Sequence, residues 1–177
     1  MLTLTLLRHA KSSWGDPALD DHDRPLAERG KKAAPDMGTA LAAMGLRPDL
    51  VICSSAARAR ATLDLVLGKL GAPVPQVIYD DGVYMATPER LLARLHRIGL
   101  SETGQIPHRV MLVGHNPGLE ELALLLVGSG AANDRARMAE KFPTAALAVI
   151  SFNADSWGLI APGAGRLEHF LTPKQLN

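Results

Sequence analysis

Leu2-Thr3-Leu4-Thr5-Leu6-Leu7-Arg8-His9 is the stretch that decides the fold. Its first six residues are aliphatic or β-branched and carry strand character. A guanidinium and an imidazole follow at once, and then the small and polar run Ala10-Lys11-Ser12-Ser13. A buried strand that ends in such groups delivers them to the crevice above the carboxyl end of a sheet, where open α/β folds bind ligands. An Arg-His pair elsewhere would read as a solvated surface pair. Its position at a strand end makes it a candidate site.

Working outward, strands are expected at 2–7, 50–53, 76–79 and 109–113, with two more at 146–152 and 167–171. Helices are expected between them. One covers 27–44, kinked or split by Pro35 and stopped at Gly45. A second covers 56–70. A third opens on Thr87 as N-cap with Pro88 at its first position and runs to residue 98. A fourth is capped by Asn116, with Pro117 first, and runs to residue 127. The glycine pairs Gly128-Ser129-Gly130 and Gly163-Ala164-Gly165 lack the strand-to-helix setting of a nucleotide loop and read as turns. The alternation predicts an α/β fold: a single-domain three-layer α/β/α sandwich over residues 1–177, with a mostly parallel central sheet and an antiparallel addition near the end.

Composition narrows the function classes. The 177 residues are 47% hydrophobic and 21% charged, with a formal net charge of +1, which fits a globular chain. With no long basic run, nothing points to nucleic acid or a membrane surface as a partner. No stretch approaches the roughly 18 apolar residues of a membrane span, and the N-terminal run is too short for a signal peptide. A cytoplasmic monomer is the expectation. Cys53, the only cysteine, sits in an apolar run and reads as a small core residue.

Three strand-to-helix junctions share one character. Arg8-His9 ends the first strand, Ser54 through Thr62 carries Arg58 after the second, and Gly114-His115-Asn116-Pro117 follows the fourth. Parallel strands bring all three to one edge, where two helix N-termini add free N–H groups. Two arginines and two histidines converging there suit a compact dianion, phosphate above all. Taken singly, each has a plainer reading: Arg58 a surface charge, His115 a core histidine, Ser54 and Ser55 helix caps. Asp20-Asp21-His22-Asp23 reads as a solvated acidic loop, with no second ligand cluster to make a metal site.

These motifs resemble the histidine phosphatase (phosphoglycerate-mutase-like) superfamily, in its short SixA-type phosphohistidine phosphatase branch. The resemblance rests on Leu6-Leu7-Arg8-His9-Ala10, Asp23-Arg24-Pro25-Leu26, Ser54 through Thr62, Val113 through Gly118, and Phe142-Pro143-Thr144-Ala145-Ala146. It implies His9 as nucleophile, with Arg8, Arg58 and His115 around the phosphoryl group. Lys11, Ser12, Arg24 and Asn116 are further candidates for phosphate or substrate contacts. No metal and no cofactor are implied. Two departures matter. Ala10, Ser12 and Gly15 stand where many members carry Gly, Thr and Asn. The glutamate that protonates the leaving oxygen in the mutase and esterase branches has no counterpart in Asp80 through Ala86, where Tyr84 or Met85 takes its place and Asp80 and Asp81 read as turn residues. The expected substrate is therefore phosphohistidine in a protein. A small phosphomonoester is the alternative, and a phosphate-binding module without turnover is the third reading.

Overall fold

In the computed structural model, which describes residues 1–99 and 104–176, the strand β1 (Leu2–Arg8) lies inside a seven-stranded sheet. Leu2, Leu4 and Leu6 enter one apolar layer while Leu7 enters the other. That is why its sequence is nearly unbroken in hydrophobicity: both faces are covered.

The other strands are β2 (Leu50–Ser54), β3 (Gln76–Asp80), β4 (Arg109–Gly114), β5 (Val127–Gly130), β6 (Leu147–Phe152) and β7 (Gly165–Leu171). Their spatial order is β3-β2-β4-β1-β6-β7-β5. β1, β2, β3 and β4 pair in parallel, β6 runs antiparallel to both β1 and β7, and β5 pairs in parallel with β7. Only β6 is reversed, so the expected antiparallel addition is this one strand. Residues 128–130, expected as a turn, instead form most of β5 on the sheet edge. Gly128 and Gly130 allow that close approach, since an added Cβ would lie 1.9 Å from the Gly163 carbonyl oxygen and 2.5 Å from that of Leu167.

Helices α1 (Glu28–Ala43) and α2 (Ala57–Leu70) cover one face. α3 (Pro88–His96), α4 (Gly118–Leu126) and α5 (Ala132–Glu140) cover the other, and a short α6 (Pro173–Leu176) follows β7. No helix among the described residues is long and apolar enough to cross a membrane. Thr87 caps α3 as expected, accepting from the Arg90 N–H.

Two expectations at helices need correction. α1 is not split but runs as one helix through Pro35. It packs on α2 through Ala34, Met37 and Leu41, and at Gly38 an added Cβ would lie 2.6 Å from the Val66 carbonyl oxygen. Tertiary burial here outweighs the lost hydrogen bond. Asn116 is not the cap of α4: Pro117 holds that position, without a side-chain cap bond, and Asn116 points elsewhere. Cys53 is buried as expected, and burial pushes its thiol up to about 12.

Gly118 and Gly68 should respond to alanine with opposite signs. A Cβ at Gly118 would meet the Ala86 carbonyl oxygen at 1.8 Å, whereas at Gly68 nothing lies within 4 Å. Urea denaturation should show Gly118→Ala destabilised by about 1–3 kcal/mol or more. Gly68→Ala, on an exposed turn of α2, should gain up to about 1 kcal/mol. Equal midpoints for the two variants would contradict this packing.

Candidate active site

The register of β1 on β4 sets Arg8 opposite Gly114, and that of β2 on β4 sets Cys53 opposite Val113. The three junctions therefore open together on the carboxyl edge. His9 and His115 face each other with ring centroids 5.1 Å apart, both buried with Arg58.

His9 Nδ1 lies 2.7 Å from the Ala10 carbonyl oxygen. A carbonyl only accepts, so Nδ1 carries the proton and Nε2 holds the lone pair. This bond orients the His9 ring. Ala10 is fixed in turn, its N–H donating to Thr62 Oγ1 at 2.9 Å, while that hydroxyl donates to the Arg58 carbonyl at 2.6 Å. Burial, helped by the charges of Arg58, Arg8 and Arg24, lowers the His9 pKa to about 4 against a bond to Ala10 that works the other way. His115 is lowered to about 3, first by burial and then by His9 and Arg58. Both imidazoles are neutral at pH 7.

The arginines are anchored from behind. Arg8 Nη1 donates to the Phe142 carbonyl at 2.9 Å. The Phe142–Ala146 segment is itself held against β1, because the Ala145 N–H donates to the His9 carbonyl at 3.0 Å with Ala145 in the left-handed region at φ 62°. Arg58 donates through Nη1 to the Asp21 carbonyl at 2.5 Å and through Nη2 to Asp21 Oδ2 at 2.9 Å. Among the described residues, two buried side-chain nitrogens have no hydrogen-bond partner, Arg8 Nε and His115 Nδ1. Buried polar groups are seldom left so, and both belong to the cluster.

Asp21 is the residue that sequence reasoning missed. The acidic loop is solvent-exposed as expected at Asp20, Asp21 and Asp23, but Asp21–Asp23 forms one 3₁₀ turn whose Asp21 carboxylate bridges Arg24 at 2.8 Å, Arg58 at 2.9 Å and the Tyr84 hydroxyl at 2.6 Å. The Tyr84 hydroxyl bond is the largest cause, ahead of the two arginines, of a carboxyl pKa lowered to about 2. Tyr84 also meets the edge of His115, centroids 5.4 Å apart. A signal was present in the spacing, since Asp21 and Arg24 are three apart at one turn. The partners on Arg58 and Tyr84 depend on tertiary structure.

The other candidates fall into different places. Arg24 and Ser12 are buried and bonded to each other, Nη2 to Oγ at 2.6 Å. Arg24 also donates through Nε to the Ser13 carbonyl and stacks on exposed Trp14, 3.2 Å from the ring centroid. These two hold the loop after β1. Asn116 donates to Glu120 at 3.1 Å and to the Phe142 carbonyl at 3.0 Å, so it braces the same segment as Arg8. Lys11 is exposed and lines a neighbouring groove. Ser54 and Ser55 both bond histidines: Ser54 Oγ to His115 Nε2 at 2.7 Å, and Ser55 Oγ to His22 Nε2 at 2.9 Å. Ser54 Oγ also accepts from the Ala56 N–H at 3.3 Å. Asp80 is a turn residue, accepting from the Gly82 N–H, and is held ionised by Arg94 at 2.6 Å.

Comparison with known proteins agrees with this fold. The sequence profile of the histidine phosphatase superfamily (branch 1) matches residues 4–83. An uncharacterised protein of Mycobacterium tuberculosis is 37% identical over 171 residues, covering 95% of this chain and 100% of the relative. Among solved structures, a protein of Agrobacterium tumefaciens assigned as a phosphohistidine phosphatase SixA is 31% identical with a TM-score of 0.78, covering 97% of this chain and 98% of its own. One from Nakamurella multipartita with the same assignment is 28% identical with a TM-score of 0.80, covering 97% and 96%. The chain belongs to branch 1 of the histidine phosphatase superfamily, and within it to the short SixA-type phosphatases.

Proposed function

We propose that this phosphatase acts on phosphohistidine carried by a protein, through a phosphoryl group held transiently on His9. The observation that carries the reading is the pair of buried nitrogens without hydrogen-bond partners, Arg8 Nε and His115 Nδ1, beside a neutral imidazole whose Nε2 is left free by the Nδ1 bond to Ala10.

In the first step His9 Nε2 attacks phosphorus, forming a P–N bond as the P–N bond to the substrate imidazole breaks. The substrate ring takes a proton from solvent on its other nitrogen beforehand, so it departs as neutral imidazole. Water then attacks the phosphohistidine on His9, releasing phosphate and restoring the neutral ring. Charge on the transferring group is spread over its equatorial oxygens, so positioning and electrostatics dominate. Arg8 and Arg58 supply the forks for two of those oxygens. In this mechanism the Ser54 hydroxyl donates to His115 Nε2, so that Nδ1–H is a neutral donor for a third. Phosphoryl transfer on this account needs no metal ion.

The substrate preference follows from Asp21 and Tyr84. Asp21, with a pKa of about 2, is ionised at pH 7 and cannot protonate a leaving group. Tyr84 is raised above its usual range by the same carboxylate and holds its proton toward Asp21. A serine alkoxide needs a positioned acid, worth roughly 10²–10⁴-fold. An imidazole, with a conjugate-acid pKa of about 6.5, leaves without one.

A turnover panel tests this. kcat/KM for a phosphohistidine peptide should exceed that for the matching phosphoserine peptide by about 10²-fold or more, with an aryl phosphate between, and EDTA should change nothing. Equal rates on the two peptides would favour a small-ester phosphatase. Phosphate binding without turnover would favour a regulatory module. Loss of activity on chelation, restored by one divalent ion, would overturn the metal-free mechanism.

The histidine environment has its own test. In proton NMR titrations the His9 ring should protonate with a midpoint near pH 4 and His115 near pH 3, instead of the usual value of about 6.5. Arg58→Ala removes a charge that disfavours the imidazolium and should raise both midpoints. The sign for stability follows: the unfolded chain binds protons that the folded one refuses, so stability falls as pH drops from about 6.5 toward 4. Midpoints near 6.5 in the folded protein would contradict the proposed poise.

A further inference from the structure

Beside the phosphate cluster lies a groove of about 960 Å³ that the proposed chemistry does not use. It opens on the same edge. β7 runs parallel to β1, because each is antiparallel to β6, so Lys11 after β1 and Thr172 after β7 leave the sheet on one side. Pro143 and Thr144 line it, directly after the Phe142 carbonyl that anchors Arg8.

Its charge is unbalanced. Lys11, Arg29, Lys32, Lys141 and Lys174 line it, all exposed, and none of them forms a salt bridge among the described residues. Against these stand the carboxylates of Asp36 and Glu140. Arg137, also in the wall, is already engaged with Asp134 and the Phe170 carbonyl. The whole chain carries only +1, so this concentration of free cations belongs to one face. Unpaired like charges within a groove repel one another and are relieved by an anionic occupant.

We propose that this groove docks an acidic polypeptide segment flanking the phosphohistidine of the substrate protein. This rests on the phosphohistidine reading and adds to it a class of partner: a protein whose phosphorylated histidine lies beside a run of Asp and Glu. Protein fits better than nucleic acid, since two carboxylates and the part-exposed apolar side chains of Ala33 and Pro143 share the groove with the cations. A uniform phosphate backbone would meet those carboxylates unfavourably.

The test uses two synthetic peptides with the same phosphohistidine, one flanked by Asp and Glu and one by Asn and Gln, with phosphoramidate as a substrate too small to reach the groove. The acidic peptide should have kcat/KM about tenfold or more above the neutral one at low salt, the gap closing as salt screens it. The triple variant Lys32→Glu/Lys141→Glu/Lys174→Glu should abolish the gap while leaving phosphoramidate turnover unchanged. Lys69→Glu, on α2, should keep the gap. Fluorescence anisotropy with the unphosphorylated acidic peptide should show binding that the triple variant loses. This arm reads docking even if phosphohistidine proves not to be the substrate. Equal kcat/KM for the two peptides with phosphoramidate turned over would overturn the docking and leave the phosphatase reading standing. Tighter binding of a single-stranded oligonucleotide than of the acidic peptide, lost in the triple variant, would likewise overturn it.

Discussion

The parallel pairing of β1 with β4 is the constraint on which the rest depends. With Arg8 opposite Gly114, the residues that follow each strand emerge side by side, and the rings of His9 and His115 come within 5.1 Å. A slip of one residue would exchange the two faces of β1, turning Leu4 and Leu6 out of one core layer and Leu7 out of the other. The register is thus fixed by hydrophobic burial on both sides. Polar groups at the strand ends inherit their position from it.

Around that register a second set of bonds holds the side chains in place. The Ala10 backbone touches both sides of the cluster: its carbonyl sets the His9 tautomer, and its N–H reaches through Thr62 to the first turn of α2, where Arg58 stands. Gly30 lets α1 press on the same loop, since a Cβ there would lie 2.3 Å from the Lys11 carbonyl oxygen. Asp21 draws Arg24, Arg58 and Tyr84 into one ionic knot. Burial first, and the gathered cations after it, give His9 a ring that resists protonation, the state that the proposed nucleophile requires.

Much of this was legible in the sequence, for physical reasons. Strands covered on both faces must be apolar throughout, so β1, β2 and β4 stood out, and the residues just beyond them named Arg8, His9, Arg58 and His115. What stayed hidden depended on contacts between distant segments. Asp21 looks like any solvated acid until the fold sets Arg58 and Tyr84 beside it. Pro35 reads as a kink or a split, and the packing of α2 on α1 is what rules out the split. Residues 128–130 read as a turn because a glycine-rich edge strand has no periodicity to show. Asn116 has a cap's chemistry, and only the fold reveals that Phe142 and Glu120 claim its amide.

The central claim is that the phosphoryl group passes through His9. Rapid quenching of the enzyme with labelled phosphohistidine peptide, followed by mass-spectrometric mapping under alkaline conditions, tests it most directly. The account predicts a phosphoryl group on His9 that is stable to base, lost in acid and absent from His9→Ala, which remains folded but does not turn over. A His9→Ala enzyme with near-native rate, or a trapped phosphoryl group on any other residue, would contradict it.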